Sequence, residues 1–180
     1  MSKSAAFGLA SIVLLTLWGC ASESDSAKEA GGCPSGAALS EASTVTKFRP
    51  GAGKDLTDVV MSAELAKPQV SCDYDKDGAK VSLTFSFPVT VKRGAAATNE
   101  PQTLSYFAAV VDQDNAVLAK QNFTRDISMD QNTVSFSENP DGMTFTIPKG
   151  KKPVGYEVLV GFQLTRDELA YNRERHRYLP

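Results

Sequence analysis

The chain has 180 residues, with 19 Lys and Arg against 21 Asp and Glu, a formal net charge of −2, and 42% hydrophobic residues. That length suits one domain with an accessory segment, and that apolar share is enough for a core. The slight acidity excludes the basic excess by which a general nucleic-acid binder holds phosphates, so no nucleic-acid partner is expected.

The first element is a leader. Lys3 gives a short positive start, Ala5 to Trp18 run without a charge, and Leu17-Trp18-Gly19-Cys20 ends the run. An apolar stretch this short reads as a cleaved signal rather than a membrane-spanning helix. Leucine three positions before a cysteine, with glycine directly before it, resembles the secretion signal and lipobox of a bacterial lipoprotein. The resemblance implies a signal peptide over 1–19, cleavage before Cys20, and acylation of Cys20 with palmitate-like chains. Each buried methylene adds about 0.8 kcal/mol, and two or more chains hold a protein stably where one does not. The mature protein is therefore expected on a membrane through its N-terminal lipid anchor. Ala21 and Ser22 are not the acidic retention type, which implies the outer membrane, facing the periplasm. With Cys20 acylated, Cys33 and Cys72 remain as a pair, and the periplasm permits a disulfide between them. Two free thiols are the alternative; a metal or redox pair finds no CxxC spacing and no histidine partner. Closing a loop of about 40 residues would stabilise the fold by roughly 4 kcal/mol on the chain-entropy account.

From Cys20 through residue 32 runs a tether. Residues 21–32 carry no branched aliphatic or aromatic side chain, so they cannot bury enough surface to offset ordering entropy. The domain proper is expected over 33–172. Ala37 to Lys47 is read as a short helix with Leu39, Ala42 and Val45 inward, and Arg49-Pro50-Gly51-Ala52-Gly53 ends it.

From Val59 the apolar period becomes two. Val59, Met61, Ala63 and Leu65 alternate; Pro68 interrupts at an edge or bend; Val70, Cys72 and Tyr74 resume. Val81, Leu83, Phe85, Phe87, Val89 and Val91 then share one face, with Ser82, Thr84, Ser86, Thr90 and Lys92 on the other. A helix would scatter these residues around its circumference, so a strand is predicted. Leu104 to Val111 is apolar on both faces, as in a central strand, and Asp112-Gln113-Asp114-Asn115 turns it back into Ala116 to Phe123. Val134 with Phe136 marks another strand. Asn139-Pro140-Asp141-Gly142 is read as a turn, and Met143, Phe145 and Ile147 follow it. Tyr156, Val158, Val160, Phe162 and Leu164 form the last strand. Thr165 with Glu168 three later is a capping box, predicting a helix from Arg166 to about Asn172. Residues 173–180 are a basic tail expected to fray. About seven strands without a βαβ rhythm predict an all-β, immunoglobulin-like antiparallel β-sandwich with short N- and C-terminal helices.

The sharpest chemical motif is Asp73-Tyr74-Asp75-Lys76-Asp77-Gly78, which matches the opening of an EF-hand loop. Asp73, Asp75 and Asp77 are the candidate ligands for Ca2+. The position of the bidentate glutamate, eleven residues on, holds Thr84 instead. The competing reading is a polar hairpin turn, where Asp-Gly is expected. Asp112 to Asn115 is a second acidic turn that a sandwich could bring near. His176 is the sole histidine and lies in the tail, and there is no GxSxG, HExxH, phosphate loop or zinc spacing, so no catalytic residue is assigned. Asp55 and Asp58 read as capping or solvated loop residues. Arg173, Arg175 and Arg177 read as a solvated terminus rather than a lipid-headgroup site.

Two segments, Lys47-Phe48-Arg49-Pro50-Gly51 with Asp55-Leu56-Thr57-Asp58, and Val158-Leu159-Val160-Gly161-Phe162-Gln163-Leu164-Thr165 through Tyr171-Asn172-Arg173, look similar to uncharacterised proteobacterial lipoproteins. That resemblance implies an address and a fold but no activity. The expected function is a non-enzymatic, lipid-anchored envelope module that engages an envelope protein or glycan. A calcium- or small-ligand-binding module is the alternative, and an envelope hydrolase with an unrecognised carboxylate site a third.

Overall fold

The computed structural model describes residues 31–51, 53–152 and 154–178, with side chains as far as Arg175. The leader, Cys20 and the tether up to residue 30 lie outside the described residues. Among the described residues no helix is long and apolar enough to cross a membrane.

The strongest period-two stretch is the centre of the architecture. Lys80–Arg93 forms one strand, β5, and its six predicted apolar residues are all buried. Among the described residues ten strands occur in chain order: β1 Ser35–Ala38, β2 Thr44–Phe48, β3 Val59–Leu65, β4 Gln69–Tyr74, β5, β6 Gln102–Val111, β7 Val117–Ile127, β8 Thr133–Glu138, β9 Met143–Thr146 and β10 Glu157–Phe162. One helix, α1, follows over Arg166–Tyr178. They form two sheets. The first has the order β1-β10-β6-β7; the second is built on β5, with β2, β3 and β4 to one side and β8 and β9 to the other. The chain is thus an all-β, sandwich-like domain with one C-terminal helix.

The second sheet is simpler than its strand count suggests. β3 pairs with β5 from Met61↔Arg93 to Leu65↔Val89, and β4 from Gln69↔Ser86 to Tyr74↔Val81, both antiparallel. They are two halves of one long strand, broken where Ala66, Lys67 and Pro68 stand opposite Phe87 and Pro88. β8 and β9 share the other edge of β5 in the same manner, from Thr133↔Lys92 to Glu138↔Phe87 and from Met143↔Leu83 to Thr146↔Lys80. Each break inserts one residue more than its partner has, which is the definition of a bulge. Asn139-Pro140-Asp141-Gly142 therefore does not reverse the chain as predicted: β8 and β9 run in the same direction along β5. A Cβ on Gly142 would lie 2.7 Å from the Leu83 carbonyl oxygen, so the bulged backbone can approach β5 only at a glycine. The first bulge also explains a proline inside the central strand. The Pro88 carbonyl faces it and accepts from the Ala66 N–H at 3.0 Å. Its missing N–H points the same way, toward the irregular segment, so no regular ladder bond is lost.

The inner faces meet through Leu104, Tyr106, Ala108, Val110, Val158, Val160 and Phe162 from the first sheet and the apolar faces of β3 and β5 from the second. Phe87 meets Tyr106 edge-on across the interface, centroids 5.6 Å apart, and Phe145 meets Tyr156 at 5.3 Å. Such aromatic pairs contribute roughly 0.5–1.5 kcal/mol beyond the area they bury.

The two open seams of the sandwich are clamped. On one, Cys33, just before β1, is disulfide-bonded to Cys72 in β4, and the Tyr74 hydroxyl donates to the Gly32 carbonyl at 2.9 Å. On the other, Arg125 of β7 forms an ion pair with Glu138 of β8.

Three further expectations are corrected. The helix over Ala37–Lys47 is absent: β1, a single 3-10 turn at Ser40–Ala42 and β2 occupy that stretch. Ser35 to Ala38 pair with Glu157 to Val160, and Thr44 to Lys47 pair with Glu64 to Met61, so the β-branched run Thr44-Val45-Thr46 follows its strand preference once partners exist. β1 runs parallel to β10, so the sandwich is not purely antiparallel. The C-terminal helix does not stop near Asn172 but continues to Tyr178, taking most of the expected tail into the fold.

Candidate functional site

The Asp-rich motif is a turn between β4 and β5. Asp73 lies in β4 opposite Ser82. The Asp75 carboxylate accepts from the backbone N–H groups of Ala79 at 2.8 Å and Lys80 at 3.0 Å, and Gly78 supplies the positive φ of 67° that closes the turn. Asp77 stays exposed at the tip. Asp75 is thus occupied with backbone donors, and the structure does not bring Asp73, Asp75 and Asp77 together as a ligand set for Ca2+. Among the described residues no group of three or more His, Cys, Asp or Glu side chains is placed to hold a metal ion. In the second acidic turn, Asp112 accepts from the N–H groups of Asp114 and Ala116, and Asp114 faces Lys151 at 3.4 Å. Asp55 caps Thr57, whose N–H and hydroxyl hold its carboxyl below the usual carboxylate range, and Asp58 pairs with Arg49.

One polar cluster of the body joins buried Tyr106 and Glu138 to the half-exposed Arg125. Burial first, and then its hydrogen bond to Glu138, push the Tyr106 hydroxyl well above the usual tyrosine value. The Arg125 guanidinium stacks over Phe136, 4.8 Å from its centroid. Every charge there has its partner, so the cluster serves the fold. Beside it, Asp126, Ser128, Asp130 and Phe136 rim a shallow recess of about 310 Å³.

A different surface is built by α1. Its start is the predicted capping box: the Thr165 N–H donates to the Glu168 carboxylate at 2.7 Å, and the Glu168 N–H donates to the Thr165 hydroxyl at 3.2 Å. From there the helix lies against β2. Tyr171 packs edge-on against Phe48 with centroids 5.0 Å apart. Asn172 is only 3% exposed, and its Nδ2 donates to the carbonyls of Glu41 at 3.0 Å and Thr44 at 2.8 Å. Arg173 clasps the Glu41 carboxylate with two hydrogen bonds of 2.8 and 3.1 Å.

Two recesses flank the helix. The first, about 210 Å³, lies between α1 and the outward residues of β2, β3 and β5: Thr44, Thr46, Ser62, Glu64, Thr90 and Lys92, with Asn172 and Arg175 forming the wall. The second, about 310 Å³, is bounded by Thr46, Phe48, Lys54, Asp167, Glu168 and Tyr171. Lys54 and Arg175 approach the Tyr171 ring at 5.9 and 5.8 Å. The chemistry of the first recess is unusual for an exposed sheet face. Lys92 and Glu64 stand on neighbouring strands, beside Ser62 and Thr90. Yet neither they nor Arg175 makes an ion pair among the described residues. The recess presents hydroxyls, one amide oxygen, two cations and one carboxylate.

None of these groove residues was singled out as a site from sequence, apart from Arg175, read as a solvated terminus. The alternation of Ser62 with Glu64 and of Thr90 with Lys92 marks an outward face. Nothing local says that a helix will roof it.

The fold and surface define an all-β, sandwich-like domain whose C-terminal helix makes a polar groove with one sheet. No family model, no curated protein and no solved structure matches the chain.

Proposed function

We propose that this protein is a lipid-anchored lipoprotein of the bacterial envelope, held by acylated Cys20 and facing the periplasm, with a non-enzymatic body that engages an envelope protein or glycan through the groove under α1. The observation that carries this is the Cys33–Cys72 disulfide. Such bonds persist in oxidising compartments and are rare in the cytosol. This one sits just behind the residues that resemble a lipobox and a tether. It also ties the point where the chain enters the domain directly to β4 in the second sheet. A tether from a membrane would thus pull on a covalent crosslink rather than on the four-residue β1.

The test has two arms in intact cells. The wild-type chain should incorporate labelled palmitate and Cys20→Ala should not. A photo-crosslinker at residue 64 should capture an envelope component in a manner competed by excess unlabelled protein. Absence of palmitate from the wild-type chain would sink the anchor, and crosslinks no stronger at residue 64 than at Val117, an exposed position on β7, would sink the groove as the engaging surface.

A further inference from the structure

We infer that the smaller recess beneath α1 binds an acidic saccharide, a sugar carrying a carboxylate or a phosphate. The inference rests on the reading of the groove as the engaging surface and adds the class of ligand.

Two buried polar groups point to a ligand. Asn172 is 3% exposed, and both hydrogens of its amide are taken by the Glu41 and Thr44 carbonyls. That pair of acceptors fixes which end of the amide is oxygen. Its Oδ1 lines the recess with no donor among the described residues. Thr46 is 6% exposed, and its hydroxyl also meets no protein partner among them. Both atoms open onto the cavity and are not sealed from water; the sealed, unpartnered side-chain atom among the described residues is Gln121 Oε1. An oriented acceptor beside a hydroxyl at an open cavity is a preorganised half of a hydrogen-bond set, which an entering ligand can complete in place of water.

The charges narrow the class. Among the described residues Lys92, Arg175 and Glu64 make no ion pair, which sets two cations and one carboxylate on the same rim. A bare anion would satisfy the cations but leave the Asn172 oxygen without a donor and face Glu64. A cationic ligand would meet Lys92 and Arg175 unfavourably. An apolar ligand would strand every group named. A polyol with an acidic substituent answers all of them: its hydroxyls donate to Asn172 and Glu64 and accept from Thr46 and Ser62, and its acid faces Lys92 and Arg175. The volume of about 210 Å³ is below the usual range of small-molecule pockets, about 300–1,000 Å³, and suits a single ring with its substituent.

The test uses the full acylated chain in detergent micelles, titrated calorimetrically with N-acetylmuramic acid, glucosamine 6-phosphate, N-acetylglucosamine and inorganic phosphate. At least one of the two acidic sugars should bind about tenfold or more tightly than both the neutral sugar and phosphate. The tighter of the two identifies the acid as carboxylate or phosphate. Lys92→Gln and Arg175→Gln, both at exposed positions, should each weaken that binding by about tenfold with unchanged circular dichroism. Thr46→Val, which keeps the side-chain shape, should weaken it without lowering the melting temperature. Equal binding of the neutral sugar, equal binding of phosphate alone, or indifference to the three substitutions would overturn the proposal. No sugar binding together with intact crosslinks from residue 64 overturns the saccharide class and leaves the engaging surface standing; loss of both overturns both.

Discussion

Removing the Cys33–Cys72 bond gives the most direct measure of what stabilises this body. The cysteines are 39 residues apart in sequence, and Cys72 is buried in β4. On the loop-closure account, crosslinking that span removes about 13 cal/mol/K from the unfolded chain, or about 4 kcal/mol at room temperature. Whole domains are stable by only about 5–15 kcal/mol, so this is a large share. Cys33→Ala with Cys72→Ala, made together to leave no lone thiol, should lower the unfolding free energy from guanidinium titration by that amount and the melting temperature by about 10 °C. The structure adds a spatial expectation. β1 has four residues, pairs with β10, and lies against the second sheet at Gly36, where a Cβ would stand 2.6 Å from the Pro68 carbonyl oxygen. Without the crosslink, the amides of Ser35 to Ala38 should lose hydrogen-exchange protection first, while those of β5 keep theirs. A loss below about 1 kcal/mol, or exchange that rises uniformly over both sheets, would refute the reasoning that the bond constrains the unfolded chain and holds β1 to the body.

The opposite seam gives a second expectation. Arg125→Met strands the Glu138 carboxylate, whose side chain is 7% exposed, and should cost about 3 kcal/mol, while Arg125→Met with Glu138→Leu should recover most of it in a chemical-denaturation double-mutant cycle. Alkaline pH gives a third. Unfolded tyrosines ionise near pH 10, whereas burial, with Glu138 beside Tyr106 and Asp112 near Tyr156, raises both in the folded state. The stability from these two groups is therefore full below about pH 10 and falls as the pH rises above it. Tyr106→Phe should flatten that fall, and an unchanged slope in a pH series of melting curves would contradict the assignment. At the helix start, Thr165→Ala should cost about 1 kcal/mol and raise amide exchange in the first turn of α1, leaving β5 unaffected.

Much of the fold was legible because its signals are local. The face from Val81 to Val91 announces a strand buried on one side, since side-chain alternation is a property of the extended backbone alone. Asp112 to Asn115 is a turn in its own right: Asp112 captures two backbone donors and Asn115 takes the left-handed φ of 61°. Thr165 and Glu168 satisfy each other across three residues, so the helix start needed nothing from elsewhere. The Cys33–Cys72 pairing followed from setting Cys20 aside as the acylated residue.

Other elements depend on partners far along the chain. Gly36 to Ala38 and Thr44 to Phe48 carry a mixed pattern that a helix or a strand could use, and β10 and β3 settle it by offering unpaired ladder edges. Proline in Asn139 to Gly142 reads as a reversal in isolation, but β5 runs on past it and makes the next segment continue in the same direction. The groove is the extreme case. Its floor comes from residues 44–46, 62–64 and 90–92 and its wall from 172–175, and what joins them is the Asn172 amide reaching back to carbonyls 128 and 131 residues away. Sequence alone determined most of the extended stretches from Val59 onward, where the chain turns in two places and where its helix begins. The tertiary structure decided which edges those strands meet and where the helix comes to rest, because hydrogen-bond partners and exposed faces exist only once distant segments have been brought together.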